Sequence, residues 1–249
     1  MLNNKSMFFK IVLVIATAVF FVSCSKDTVG PTIEVLKPVK QIINTKKNDT
    51  TFYSYDIQGR LTEIFTNYSQ LNYKEKSVYN YGNNEVNIKY YGNDILNIEV
   101  IVDTLKNGRA VRYIQNGDTI VCEYDNQGYN IKNITGTSKD SLEYLNGNCI
   151  KKIDLSKTYI MEYYTDKKNT LNTTTIENYY AYADFIHQGM FGKLNSNLIK
   201  KVTKTYSDNT TYVADFSYTL NSSNYATQYT IIEKQTSNSK DTVIFDVVY

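Results

Sequence analysis

The stretch "YDIQGRLTEI" (55–64) has a looser copy, "YDNQGYNIKNI", at 124–134. In both, Asp follows Tyr and Gly stands three positions after Asp. An Asp side chain bonds backbone amides just ahead of it, and Gly accepts a positive φ, so the middle of each stretch is a turn. The Tyr before it and the apolar alternation after it favour strand. Each stretch therefore reads as strand, turn, strand.

The same punctuation recurs along the chain. Turn signals stand at "IQGR" (57–60), "YGNN" (81–84), "YGND" (91–94), "KNGR" (106–109), "QNGD" (115–118), "NQGY" (126–129), "NGN" (146–148), "SDN" (207–209) and "NSSN" (221–224). The runs between them alternate: Phe52 and Ser54 face one way in "TFYSYD", Tyr53 and Tyr55 the other. "DTVIFDVVY" puts Val243, Phe245, Val247 and Tyr249 on one face. With "VKQIIN" (39–44) as the first strand, the spacing predicts an all-β domain over 34–249. It is an antiparallel meander of roughly 14–16 strands, a curled sheet or barrel-like. Residues 165–197 break the pattern. There Tyr179, Tyr182, Ile186 and Met190 recur at helical spacing, which predicts a long loop or short helix inserted in the meander.

The N-terminus carries a different signal. Lys5 and Lys10 precede the apolar run "IVLVIATAVFFV" (11–22), too short to span a bilayer as a helix but suited to a secretory signal. The run ends in "FVSC" (21–24), which resembles the lipobox of bacterial lipoproteins, although Phe21 stands where Leu is usual. The resemblance implies a signal peptide over 1–23, acylation of Cys24 by chains such as palmitate, and a tether over 24–33 containing Pro31. Two acyl chains already suffice for stable anchoring. Ser25 after the cysteine resembles an outer-membrane address. "SKD" (25–27) loosely resembles surface-export signals, so the periplasmic and surface sides both stay open.

Two family resemblances follow. "YDIQGRL" resembles the tyrosine–aspartate (YD) repeat of RHS-type proteins, with a partial copy at Tyr124, Asp125 and Gly128, where Tyr129 replaces the expected Arg. The chain is too short for an RHS shell. The lipobox together with "TFYSYDIQGRLTEI" (51–64), "YYTDKKNTL" (163–171), "LIKKVT" (198–203) and "FSYTLNSSNYATQYTI" (216–231) is similar to a family of Gram-negative lipoproteins of unknown function. That likeness implies a porin-like antiparallel β fold with a lipid anchor and no assigned catalytic residue.

Composition narrows the chemistry. The chain has 27 Lys+Arg against 25 Asp+Glu, and removing the signal with its two Lys leaves charge near zero, so no nucleic-acid partner is expected. One His, His187, and no G-x-S-x-G elbow argue against a hydrolase triad and against a His-rich metal site. No phosphate-cradling loop, cofactor or metal is expected. A glycoside hydrolase would need two carboxylates about 5–10 Å apart. Glu123, Asp125 and Glu143 are the residues to examine for one, and surface alternation explains them equally well. A spanning barrel would need an apolar lipid-facing band about 25 Å tall. "EVNIKYYG" (85–92), "NIKNITG" (130–136) and "CIKKIDLSK" (149–157) instead put Lys and Asn on both faces, so the chain is expected to be tethered rather than spanning.

The remaining candidates are these. Tyr number 24 and Trp none. Most Tyr suit strand packing, while Tyr179, Tyr180, Tyr182, Phe185 and Phe191, with His187, are candidates for a ledge that takes a glycan or an apolar ligand. Cys122 and Cys149 sit in an oxidising compartment, where a disulfide and two buried thiols are both open. Asp-Thr/Ser motifs resemble O-glycosylation acceptors in some Gram-negative periplasms, with Thr104, Thr119 and Ser141 as candidate sites. The expectation is a non-catalytic binding or structural module on the outer membrane. The alternative is a carrier of an apolar ligand or lipid in a curled-sheet pocket.

Overall fold

A long meander of antiparallel strands escapes exposed edges by closing on itself, and this one does. The computed structural model describes residues 38–104, 109–115, 117–171, 192–235 and 240–249. The strands are β1 (Gln41–Asn44), β2 (Asp49–Tyr55), β3 (Leu61–Tyr68), β4 (Tyr73–Tyr81), β5 (Glu85–Gly92), β6 (Ile95–Thr104), β7 (Ala110–Gln115) and β8 (Asp118–Tyr124). They continue with β9 (Asn130–Thr135), β10 (Ser138–Leu145), β11 (Asn148–Asp154), β12 (Lys157–Lys168), β13 (Asn197–Tyr206), β14 (Thr211–Leu220), β15 (Ala226–Gln235) and β16 (Lys240–Val248). Each pairs with its sequence neighbours, and β1 pairs with β16 (Ile42 opposite Val247), so sixteen strands form a closed barrel. The count meets the upper end of the expected range. β12 runs through Lys168, so Thr165–Lys168 belong to the wall and the irregular segment is shorter than the sequence indicated. The helical spacing over 179–190 falls outside the described residues.

The barrel has two unlike ends. Odd-numbered strands run to the turn end, where the described connections are short and Asn48, Asn72, Asn93 and Asn209 take positive φ. Even-numbered strands run to the opposite, loop end. That end also holds the entry into β1, the exit from β16 and the long β12–β13 connection.

At the loop end the opening motif acquires a physical meaning. Asp56 Oδ1 accepts the amides of Gln58 and Arg60 (both 2.9 Å), and the Gly59 amide donates to the Asp56 carbonyl with φ at 76°. Asp125 does the same with Gln127 and Tyr129, and Gly128 takes φ 92°. A third copy is disguised: Asn221 accepts the amides of Ser223 and Tyr225, and Asn224 takes the positive φ. The Tyr before each Asp points into the barrel and latches the preceding strand. Tyr55 donates to the Val39 carbonyl (2.8 Å) and Tyr124 to that of Ala110 (2.7 Å). Tyr81 and Tyr163 make the same bond to the carbonyls of Leu61 (2.9 Å) and Cys149 (2.8 Å). These carbonyls stand where strands begin, and a tyrosine hydroxyl satisfies each one in place of water.

Inward side chains form one continuous apolar cluster that includes Ile42, Tyr53, Tyr79, Ile88, Val100, Val102, Tyr159, Val202, Phe216 and Tyr229. Val100, Val102 and Ala214 are fully buried (0% exposed), as a water-filled channel would not permit. The outer wall is polar. Ion pairs lie directly across adjacent strands at Glu123–Lys132 (2.9 Å), Glu143–Lys151 (2.8 Å), Glu162–Lys201 (3.5 Å), Lys89–Glu99 (3.6 Å) and Asp103–Arg112. Apolar outer residues such as Phe52, Ile114 and Ile160 stand among these charges rather than in a continuous band.

The tyrosine latches carry a pH signature. Burial, above all, raises the hydroxyl pKa of Tyr55, Tyr81 and Tyr124, that of Tyr81 to about 12 from an ordinary 10.0. Unfolded tyrosines ionise near 10, so this stability is fully present below pH 10 and is lost as pH rises through about 12. Thermal unfolding followed against pH is expected to show a midpoint that is level below 10 and falls above it. Tyr124→Phe should cost about 1 kcal/mol in urea denaturation.

Candidate functional site

Closure brings the turn-end halves of β1–β5 beside those of β15 and β16, and between them lies a cavity of about 430 Å³. It is lined only by inward-facing residues of the wall and by the β1–β2 turn. Deep in the lumen its floor is aromatic: Tyr53, Tyr79, Tyr90, Tyr229 and Phe245. Tyr229 stacks on Phe245 with ring centroids 4.6 Å apart, and Tyr229 itself is 2% exposed. Ile42, Ile64, Ile231 and Val243 fill between the rings. Ser77 stands in the same row, between Ile64 and Tyr90, and higher up Thr51 and Thr66 face each other across β2 and β3 with hydroxyls 3.1 Å apart.

The mouth carries Asp49, Glu75, Asp241, Asn44 and Lys47. Tyr68 donates its hydroxyl to Glu75 (2.9 Å), and Asp49 accepts the amide of Ser69 (3.0 Å). Asp241 pairs with the Lys46 ammonium, and that hydrogen bond holds its carboxyl below the usual range. Burial, and then the Glu75 hydrogen bond, push the Tyr68 hydroxyl up. On the opposite side of the lumen Lys152 reaches Asp140 (3.9 Å), and Lys157 and Lys204 lie over the rings of Tyr206 and Tyr159. Burial raises Asp140 despite the nearby Lys152. Among the described residues no group of three or more His, Cys, Asp or Glu is placed to hold a metal ion.

The residues singled out from the sequence fall elsewhere. Cys24 and the ledge candidates Tyr179, Tyr180, Tyr182, Phe185, His187 and Phe191 lie outside the described residues. Their segment leaves and returns at the loop end, where Asn148 and Asn197 bond each other (3.0 and 2.9 Å) and Asn195 accepts the Cys149 amide (2.7 Å). Glu123 and Glu143 are on the outer wall, each paired with Lys, and Asp125 is committed to its loop. They do not meet in a cleft. Thr119 is exposed on the outer face of β8, Ser141 is half-buried on the outer face of β10, and Thr104 ends β6.

The disulfide left open by the sequence is not formed. Cys122 on β8 and Cys149 on β11 are buried free thiols. Two strands intervene, so about 14 Å of wall separates them, against the 7 Å limit a disulfide can bridge. Burial pushes the Cys122 thiol up to about 11, against hydrogen bonds from Tyr124 and Asn130 that favour the thiolate.

No protein-family model and no curated protein sequence matches the chain. Solved structures do. A porin-like protein from Bacteroides uniformis ATCC 8492 superposes with a TM-score of 0.63 at 14% identity, over 85% of this chain and 96% of that one. A porin-like protein from Bacteroides vulgatus ATCC 8482 gives 0.56 at 11% identity, over 86% and 99%. At such identities the likeness concerns the fold: an antiparallel, porin-like barrel.

The state of the thiols is checked by alkylation of the barrel, residues 34–249, without reductant. Native protein at pH 8 should resist iodoacetamide, because burial keeps the Cys122 thiolate scarce. Unfolded protein should take up two adducts by intact mass. Uptake of none after unfolding would mean a disulfide.

Proposed function

We propose that this chain is a cell-envelope lipoprotein, held on the outer membrane through acylated Cys24, whose barrel is a non-catalytic binding module for a small ligand. The cavity carries this reading. Beside the packed inward cluster, the turn end of the lumen holds a hollow lined by aromatic rings and polar groups. Concave sites with an apolar body and a few convergent polar groups are where small ligands bind.

The outer wall supports a tethered barrel rather than a spanning one. A charge on the lipid face near the bilayer midplane costs about 2–4 kcal/mol. Here charged pairs such as Glu123–Lys132 and Glu162–Lys201 recur around the circumference. The reading is non-catalytic because the carboxylates at the mouth are engaged in holding structure. Asp241 in particular is kept ionised by Lys46, the opposite of what a general acid needs. A second reading, a carrier of an apolar ligand, draws on Ile42, Ile64, Ile231 and Val243 in the same cavity.

Detergent-phase partitioning tests the anchor. Residues 36–249 alone should stay in the aqueous phase, the acylated full chain should enter the detergent phase, and Cys24→Ala should return it to water. A detergent-soluble barrel without its first 35 residues would sink the tethered reading. Native mass spectrometry of protein from its own membranes tests binding. A bound small molecule is expected, and it should be lost from Ser77→Trp, whose indole projects into the middle of the cavity.

A further inference from the structure

The cavity interleaves two chemistries, and an apolar occupant would use only one of them. The strand registers fix the pattern: Tyr53 stands opposite Ile64, Thr51 opposite Thr66, Ser77 opposite Tyr90, and Tyr229 opposite Phe245. Ring and hydroxyl are therefore neighbours along β2 (Thr51, Tyr53) and β4 (Ser77, Tyr79) and across β4 and β5 (Ser77, Tyr90), while β15 and β16 set ring against ring. A hydrocarbon tail would strip water from Ser77 and from the hydrogen-bonding capacity that Thr51 and Thr66 leave unused in bonding each other, with nothing to offer in return. Each polar group left in that condition costs about 1–3 kcal/mol. A sugar has the matching duality, with C–H faces for the rings and a rim of hydroxyls for the wall. Tyrosine, an apolar body with a polar tip, serves such a surface where a chain has no Trp.

Size and charge narrow the class. About 430 Å³ lies toward the small end of ligand pockets, suited to one or two sugar rings rather than a long glycan. The mouth presents Asp49, Glu75 and Asp241 against Lys47, with Lys46 already paired to Asp241. Carboxylates accept hydrogen bonds from sugar hydroxyls, and they repel uronates, sialates and phosphosugars. We infer that the turn-end cavity takes a short neutral saccharide, an inference that rests on reading the barrel as a binding module. Thr51, Thr66 and Ser77 recognise its hydroxyls, and the partly exposed rings of Tyr90 and Phe245 receive its C–H faces.

Saturation-transfer NMR on the full chain in phospholipid nanodiscs tests this with four probes: maltose, cellobiose, digalacturonate and 1-octanol. At least one neutral disaccharide should bind, with digalacturonate at least tenfold weaker. Ser77→Trp should abolish sugar binding. Thr66→Val, nearly isosteric and safe for folding, should weaken it at least threefold. Octanol binding that Ser77→Trp removes, without any sugar signal, would overturn the saccharide class while leaving the binding module standing. Preference for digalacturonate would overturn neutrality. Sugar binding untouched by both variants would place the site elsewhere and overturn the assignment. Silence from all four probes would overturn it as well. Only that silence joined to an empty native mass spectrum would also remove the binding module.

Discussion

Everything in this molecule depends on the pairing of β1 with β16. Four residues of β1, Gln41–Asn44, bridge the last strand and the second, and with them the sheet has no free edge. Closure makes inside and outside permanent: because side chains alternate, a one-residue slip of β2 would move Tyr53 into water, and one of β9 would move Lys132 into the lumen. The outer ion pairs are worth little one by one. Their value here is as markers of register, since Glu123, Glu143 and Glu162 each meet Lys on the next strand at the same level.

The loop end shows how local chemistry enforces that register. A Tyr-Asp pair performs two tasks in consecutive residues: Asp shapes the loop that follows, and Tyr, on the other face, bonds back to the start of the preceding strand. Each unit thus ties three strand ends together. In the first copy Arg60 completes the arrangement by pairing with Asp56 (2.6 Å) and lying over the Tyr81 ring at 4.4 Å. In the second, Tyr129 replaces that Arg and stacks on Tyr144 at 4.7 Å. The motif tolerates this substitution because the position needs only a flat group to cover a tyrosine.

Much of this was legible in the sequence, for reasons that are themselves physical. Turns carrying Asp, Asn and Gly announce a positive φ in local code, and alternation places Tyr53 inside and Phe52 outside without any knowledge of partners. The third loop hid because Asn221 and Asn224 do the work of Asp and Gly with other letters. The turns after β1 and β3 hid because their positive φ falls on Asn48 and Asn72, which no glycine follows. The cavity was not legible. Its walls come from residues 42–90 and 229–245, and only closure of the barrel joins them. The aromatic segment 179–191 drew attention by breaking the pattern, whereas the cavity is made of residues that keep it.

The likeness to porin-like structures therefore needs a physical reading rather than a nominal one. A sixteen-stranded barrel is wide enough to hold a water-filled channel, and whether it does is decided by which face the alternation assigns to apolar side chains. In a spanning barrel the apolar set faces outward to lipid and the polar set lines water. Here the assignment is reversed: Val100, Val102, Tyr159 and Phe216 face in, and Lys132, Lys151 and Lys201 face out. The same topology with the opposite sign of alternation becomes a body with a core, and a core can leave a cavity at one end. That sign, more than the strand count, gives this barrel a packed core around Val100, Val102 and Phe216.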